Sequence, residues 1–152
     1  MRAAIDAGAT GIELDVRLTG DGQVVVWHDP TLQADKCLMT EVDYTDARLA
    51  DLTLDQLRTV DVGNRTLTAY PLQQPAPGER IATLAELFAA CADHPELWWT
   101  VEIKVDPTDP SEVATRDELV DGTIAAIEAA GVRERSFVHS FDWTVLELAR
   151  QL

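Results

Sequence analysis

The sequence predicts an α/β fold in which parallel strands are joined by crossover helices, and three observations predict it. Runs of strand composition alternate with stretches of helical periodicity along most of the 152 residues, and such alternation builds parallel sheets. One pair of runs, 12–16 and 23–27, lies too close together for a parallel crossover, so it forms an antiparallel hairpin. Finally, chemistry-bearing side chains recur at or near strand ends: Glu13, Asp15, Glu102, Lys104 and Ser140. Doubly wound sheets and (β/α)₈ barrels both fit, and both gather functional residues at the carboxyl ends of their strands.

Taken in order, residues 1–7 read as the last turns of a helix stopped by Gly8. A domain rarely opens there, so the chain is expected to be a piece of a longer one. In 12–16 (IELDV) apolar and acidic residues alternate, the period of a half-buried strand. Glu13 and Asp15 then project from one face. Asp21-Gly22 is a tight-turn signal, and a turn centred there places His28 beside Asp15 or Leu14. Segment 31–80 is polar and poor in periodicity, and holds the punctuation Pro75-Ala76-Pro77-Gly78. It reads as a functional loop or insertion, with a short helix over about 54–60 behind a Thr53/Gln56 capping box.

A second capping box, Thr83 with Glu86, opens a helix to about Ala92. Residues 97–105 (LWWTVEIKV) are aromatic and β-branched, hence a strand, with Trp98-Trp99 read as core. One amphipathic helix is expected over 111–130, with Val113, Val120, Ile124 and Ile127 on one side and Gly131 as its stop. A strand over 135–140 and a helix over 143–152 complete the pattern. No internal repeat or low-complexity tract is present.

The length suits one domain with a real core, and 46% hydrophobic and 26% charged residues suit a soluble globular protein. The formal charge of −15 comes from 27 acidic and 12 basic residues. It argues against nucleic acid or anionic membrane as a partner, since neither polyanion is attracted. No apolar run reaches the roughly 20 residues of a membrane span, and no apolar signal core follows Met1. Cys37 and Cys91 lack metal-type spacing.

Two carboxylates on one face of an apolar strand are costly unless paired or bound to a cation; the competing reading of Glu13 and Asp15 is a solvent-facing edge. Glu102 and Lys104 repeat the spacing on a later strand, where the competing reading is a simple ion pair. Together, three carboxylates at adjacent strand ends form an all-oxygen site suited to Mg²⁺ or Ca²⁺ rather than zinc. Such a cation polarises a phosphoryl oxygen. Lys104 can neutralise charge growing on phosphoryl oxygens. His28 can exchange a proton with an attacking or leaving oxygen; its competing reading is a turn-capping residue helped by Asp29-Pro30. His94, before Pro95, reads as structural. His139 faces either the site or the core. No Ser-His-Asp order, P-loop or dinucleotide fingerprint occurs, and Gly20-Asp21-Gly22 is a turn with no helix behind it.

The stretches AGATGIELDVRLTGDGQVVVWHDPTL, RIATLAELF, TVEIK and SFDW, in this order and spacing, resemble the glycerophosphodiester phosphodiesterase family. The resemblance covers most of residues 7–144. It implies a (β/α)₈ barrel of the phosphatidylinositol-phosphodiesterase-like type, here partial, spanning 1–152 with an insertion over 17–80 after the second strand. It implies hydrolysis of a small-molecule glycerophosphodiester to sn-glycerol 3-phosphate and an alcohol, with a divalent cation, Ca²⁺ or Mg²⁺. By resemblance, Glu13 and Asp15 match metal ligands of an E-x-D motif and Glu102 the third ligand. Lys104 matches the phosphate-facing lysine, His28 the second of two catalytic histidines, and Ser140 and Phe141 a substrate-end pair.

The family's opening His-Arg-Gly strand and its Pro-Glu-Asn turn have no counterpart, and Gln33-Ala34-Asp35-Lys36 replaces the usual residues after the His-Asp pair. By the resemblance the chain holds about three of the eight strands of such a barrel, and it is expected to be inactive alone. Alternatives are a sphingomyelinase D-like lyase sharing the barrel and a similar metal triad, and a non-catalytic barrel remnant that binds a cation or ligand. Segment 70–80 is similar to envelope-associated relatives, which favours a periplasmic or secreted location over the cytoplasm.

Overall fold

The computed structural model describes residues 2–152. Met1, which opens the helix expected over 1–7, lies outside the described residues. Helix α1 (Arg2–Asp6) ends where Gly8 takes φ +96°, with Gly8 N–H bonded to the Ile5 carbonyl at 2.8 Å and Ala9 N–H to that of Ala4 at 2.9 Å. The left-handed residue satisfies carbonyls that the last turn leaves open.

Strand β1 (Gly11–Leu18) and strand β2 (Val24–Val26) form the expected antiparallel hairpin. The turn is wider than Asp21-Gly22 alone. Thr19 N–H bonds the Gln23 carbonyl at 3.0 Å, so Gly20, Asp21 and Gly22 all lie in the loop, with Gly22 at φ +75°. The pairs Val16–Val26, Arg17–Val25 and Leu18–Val24 extend to Trp27 opposite Asp15, where Trp27 N–H bonds the Asp15 carbonyl at 3.0 Å. His28 therefore falls opposite Leu14, the second of the two expected places.

Segment 31–80 is more ordered than its composition suggested. Strand β3 (Leu38–Met39) pairs with β4 (Val60–Asp61), and between them lie a 3₁₀ turn (Leu49–Asp51) and helix α2 (Leu54–Leu57). Val25, Leu32, Cys37, Leu49, Leu52, Leu54, Leu57, Val60 and Ile81 close a second apolar cluster. Most of its members come from turns and very short elements, too brief to set up a helical or strand period, so the sequence pattern did not reveal it. Asp61 draws the rest of the segment together, accepting from Gly63 and Asn64 N–H at 3.0 Å and from Gly78 N–H at 2.8 Å.

Helix α3 (Leu84–Ala90), strand β5 (Trp98–Ile103), helices α4 (Pro110–Ala114) and α5 (Arg116–Ala129), strand β6 (Ser136–His139) and helix α6 (Trp143–Ala149) follow. Both expected capping boxes form. The single helix expected over 111–130 is two helices. Asp109 and Pro110 start α4, and Thr115 leaves helical geometry at φ −108°, ψ 6° before α5 begins. The apolar period runs through that break and so does not reveal it.

The main sheet has the order β2-β1-β5-β6, with β1, β5 and β6 parallel and β2 antiparallel. On one face Ile12, Leu14, Val16, Trp99, Val101 and Ile103 pack against Leu84 and Phe88 of α3, Leu119, Val120 and Ile127 of α5 and Val145 of α6. Each fully buried side chain of this kind contributes about 1.5–3 kcal/mol. Phe88 meets Trp99 edge to face at 4.9 Å. Trp98 is not core, contrary to expectation. It lies on the opposite face, 47% exposed, stacked on Phe137 at 5.6 Å. Among the described residues, no helix is long and apolar enough to cross a membrane.

Candidate active site

The face that carries Trp98 also carries the charges, because side chains alternate along a strand. The parallel register sets Asp15 beside Glu102 and Glu102 beside His139. These three positions form a row across adjacent strands about 4.8 Å apart. Glu13 lies two residues earlier on the face of Asp15. Lys104 follows the last rung of β5, where its N–H bonds the Val16 carbonyl at 3.1 Å.

Lys104 Nζ bridges two of the carboxylates, 2.6 Å from Glu102 Oε1 and 3.2 Å from Asp15 Oδ1. Burial pushes its pKa down, but the hydrogen bonds it donates to Glu102 and Asp15 and their charges outweigh that, and its pKa lies above the ordinary lysine value. Phe141 is 82% exposed, with its ring centroid 6.0 Å from Lys104 Nζ, within cation–π reach.

Glu13, Glu102 and His139 bring ligand atoms within 4.8 Å of one another. His139 Nε2 lies 3.8 Å from Glu13 Oε1, and Nδ1 lies 3.9 Å from Glu102 Oε2. Those gaps are too long for hydrogen bonds. One ring nitrogen binds a given ion, and a gap of this length suits two ligands of one ion, which at bond lengths of about 2.1–2.3 Å lie at most about 4.2–4.6 Å apart. Nε2 of His139 is buried with no hydrogen-bond partner. The donor set therefore fits a divalent cation. Of the expected Glu13, Asp15 and Glu102, the first and last belong to this set together with His139, while Asp15 lies outside it with Oδ1 toward Lys104. The sequence signal for His139 was its spacing from Phe137 on one strand face; the register that aligns it with Glu102 was not readable.

His28 stands apart from that cluster, its side chain 63% exposed. Its Nδ1 lies 3.0 Å from Asp29 Oδ1, and Asp29 also pairs with Lys36. Burial raises the Asp29 carboxyl, but Lys36 and His28 outweigh it and hold it below the usual range. An ionised Asp29 accepts a hydrogen bond from Nδ1–H and leaves Nε2 as the other ring nitrogen. Arg17 Nε bonds the His28 carbonyl at 2.8 Å while its guanidinium reaches Glu112 of α4 at 3.1 Å. Arg48 adds Asp109 at 3.0 Å. Sequence reasoning missed the parts played by Lys36, seven residues from Asp29, and by Arg17 and Glu112, which join residues distant in the chain.

Ser140, expected at the substrate end, is committed to the scaffold. Its hydroxyl donates to the Ile103 carbonyl at 2.7 Å and accepts from Asp142 N–H at 3.1 Å. Asp142 in turn caps α6 through Thr144 N–H and holds Arg116 at 3.0 Å. His94 sits on a loop between Asp93 and Glu96.

Comparison with known proteins sets this geometry among its relatives. A glycerophosphodiester phosphodiesterase of Caldanaerobacter subterraneus subsp. tengcongensis is 33% identical over 144 residues, which is 93% of this chain and 50% of that protein. A Silicibacter pomeroyi structure assigned to glycerophosphoryl diester phosphodiesterase superposes with a TM-score of 0.88 at 27% identity, covering 99% of this chain and 54% of the other. An Oleispira antarctica phosphodiesterase, solved with sn-glycerol-3-phosphate, shares the fold at 21% identity and a TM-score of 0.76, covering 99% and 53%. The chain thus spans about half the length of these relatives. The glycerophosphoryl diester phosphodiesterase family matches across residues 1–152, and the chain belongs to that family.

Proposed function

We propose that the protein containing this chain hydrolyses glycerophosphodiesters to a glycerol phosphate and an alcohol, using a divalent cation. The mixed sheet is read as part of a (β/α)₈ barrel, whose carboxyl strand ends carry the chemistry. The observation that supports this most is the clustering of Glu13, Glu102 and His139 beside the Asp15–Lys104–Glu102 bridge, in a chain of this family.

Glu13 and Glu102 would hold the cation, which when bound supplies a Lewis acid for a phosphoryl oxygen. Lys104 presents a fixed positive charge where phosphoryl oxygens gain negative charge. Asp15 and Glu102 keep that ammonium protonated and aimed. His28, oriented by Asp29, moves a proton at Nε2 to or from an oxygen of the diester. Phe141 offers an apolar wall beside Lys104 to the carbon skeleton of the substrate.

The lyase reading has no observation in its favour. Release of glycerol 3-phosphate from glycerophosphocholine by the full-length protein tests the proposal. Turnover should vanish with EDTA, return with added cation, and fall at least about a hundredfold in Glu102→Gln. Turnover that survives both chelation and Glu102→Gln refutes the metal role. A cyclic phosphate product would replace hydrolysis by intramolecular transfer.

A further inference from the structure

We propose that His139 supplies a nitrogen ligand to the cation of this site, and that this donor tilts selection from Ca²⁺ and Mg²⁺ toward Mn²⁺, Co²⁺ and Zn²⁺. The inference rests on the cation reading above and adds a residue beyond Glu13, Asp15, Glu102 and Lys104.

Three observations carry it. Register fixes His139 directly beside Glu102, on the face that holds Glu13. Its Nε2 is shielded from water and makes no hydrogen bond, an expensive state unless something else occupies the nitrogen. The oxygens of the expected all-carboxylate site are partly spoken for. Asp15 Oδ1 and Glu102 Oε1 both face Lys104, while Glu102 Oε2 turns toward His139. Where ligand atoms converge, the donors are two carboxylates and one imidazole.

A direct imidazolium–carboxylate pair would close to about 2.7–2.9 Å. The Nε2–Glu13 gap here, 3.8 Å, stays open by the span that a shared ion fills, and one ligand atom each from Glu13, Glu102 and His139 lies within 4.8 Å of the others. Ca²⁺ prefers an all-oxygen set of six to eight ligands, and an imidazole in the set works against it. Imidazole suits the later first-row metals, whose affinity for nitrogen donors exceeds that of Mg²⁺ and Ca²⁺.

The test is calorimetric titration of Mg²⁺, Ca²⁺, Mn²⁺ and Zn²⁺ into the full-length protein and into its His139→Gln and His139→Asp variants, with circular dichroism confirming the fold of each. Pulsed EPR of the Mn²⁺-loaded forms reads nitrogen coupling directly. The proposal expects a nitrogen coupling in the parent that disappears in both variants. Mn²⁺ and Zn²⁺ affinity should fall at least about tenfold in His139→Gln, with Mg²⁺ affinity changed less than about threefold. His139→Asp should recover Mg²⁺ and Ca²⁺ binding without the coupling, because it returns an oxygen ligand. Mn²⁺ bound without nitrogen coupling, or coupling that persists in His139→Gln, overturns the role of His139 and leaves the cation reading standing. Absence of binding for all four ions in the parent defeats the cation reading itself, and His139 with it.

Discussion

The two faces of the β1-β5-β6 sheet are made by the same strands and behave as two different materials. One face is closed: Val16, Val101 and Ile103 are fully buried against α3, α5 and α6. The other holds Glu13, Asp15, Glu102, Lys104 and His139, with ion pairs, exposed aromatics and an imidazole nitrogen that lacks a hydrogen bond. The apolar core lies on the first face and the candidate site on the second. Apolar burial is favourable wherever it occurs, whereas a crowd of carboxylates repels itself unless a cation compensates. The apolar face therefore supplies the free energy that lets the charged face stay preorganised and partly unsatisfied.

The adjacent tryptophans make the most direct contrast. Trp99→Ala should cost about 3–5 kcal/mol, because it opens a cavity beside Phe88. Trp98→Ala should cost only about 1 kcal/mol, the worth of a half-exposed stack on Phe137. Urea denaturation of both variants measures the difference. Equal losses would mean that the two faces are not distinct.

Lys104→Met should come next, costing about 1.5–3 kcal/mol, since it leaves Asp15 and Glu102 facing each other with no positive charge. Saturating divalent cation should recover part of that loss, because it enters the same negative field. No cation-dependent recovery in thermal melts would separate the lysine bridge from the cation site.

The pH dependence of that variant is a sharper probe. The Lys104 pKa is raised in the folded protein. Its contribution is therefore complete below the unfolded lysine value of about 10.4 and is lost as pH rises through the folded value. The gap in urea midpoint between parent and Lys104→Met should hold from pH 7 to 9 and shrink above about 10.4. Asp29 acts with the opposite sign. Its carboxyl is held low by Lys36 and His28 against the pull of burial. Its contribution is present above about 3.9 and is lost as pH falls through the folded value.

The smallest expected effect lies at the edge of the apolar face. Thr83→Ala removes the capping box that starts α3, and should lower stability by about 1 kcal/mol. The denaturation slope should not change, because the surface exposed on unfolding does not.

Legibility followed the range of the interaction. The hairpin, both capping boxes and the stop at Gly131 were readable, because each depends on residues a few positions apart. Gly131 takes φ +67°, and Val132 N–H bonds back to the Ile127 carbonyl at 3.2 Å, as a helix stop requires. The break at Thr115 was hidden beneath an unbroken apolar period. The apolar cluster of segment 31–80 was hidden because most of its members sit in turns and short elements. At the candidate site, the carboxylates and Lys104 could be named from i, i+2 spacing alone. Ser140 was ambiguous, because a hydroxyl at a strand end suits a substrate and a backbone carbonyl equally well, and here it holds the Ile103 carbonyl.

By itself, the sequence determined which side chains share a strand face, where helices begin and stop, and the family to which the chain belongs. These follow from local backbone periods and from motif order. Only the tertiary structure decided that Glu102 stands between Asp15 and His139, that Lys104 takes Asp15, and that Arg17 ties the His28 backbone to Glu112. Those pairings depend on strand register and on contacts between distant segments. A period of two residues says which face a side chain occupies, but not which neighbour the next strand will set beside it.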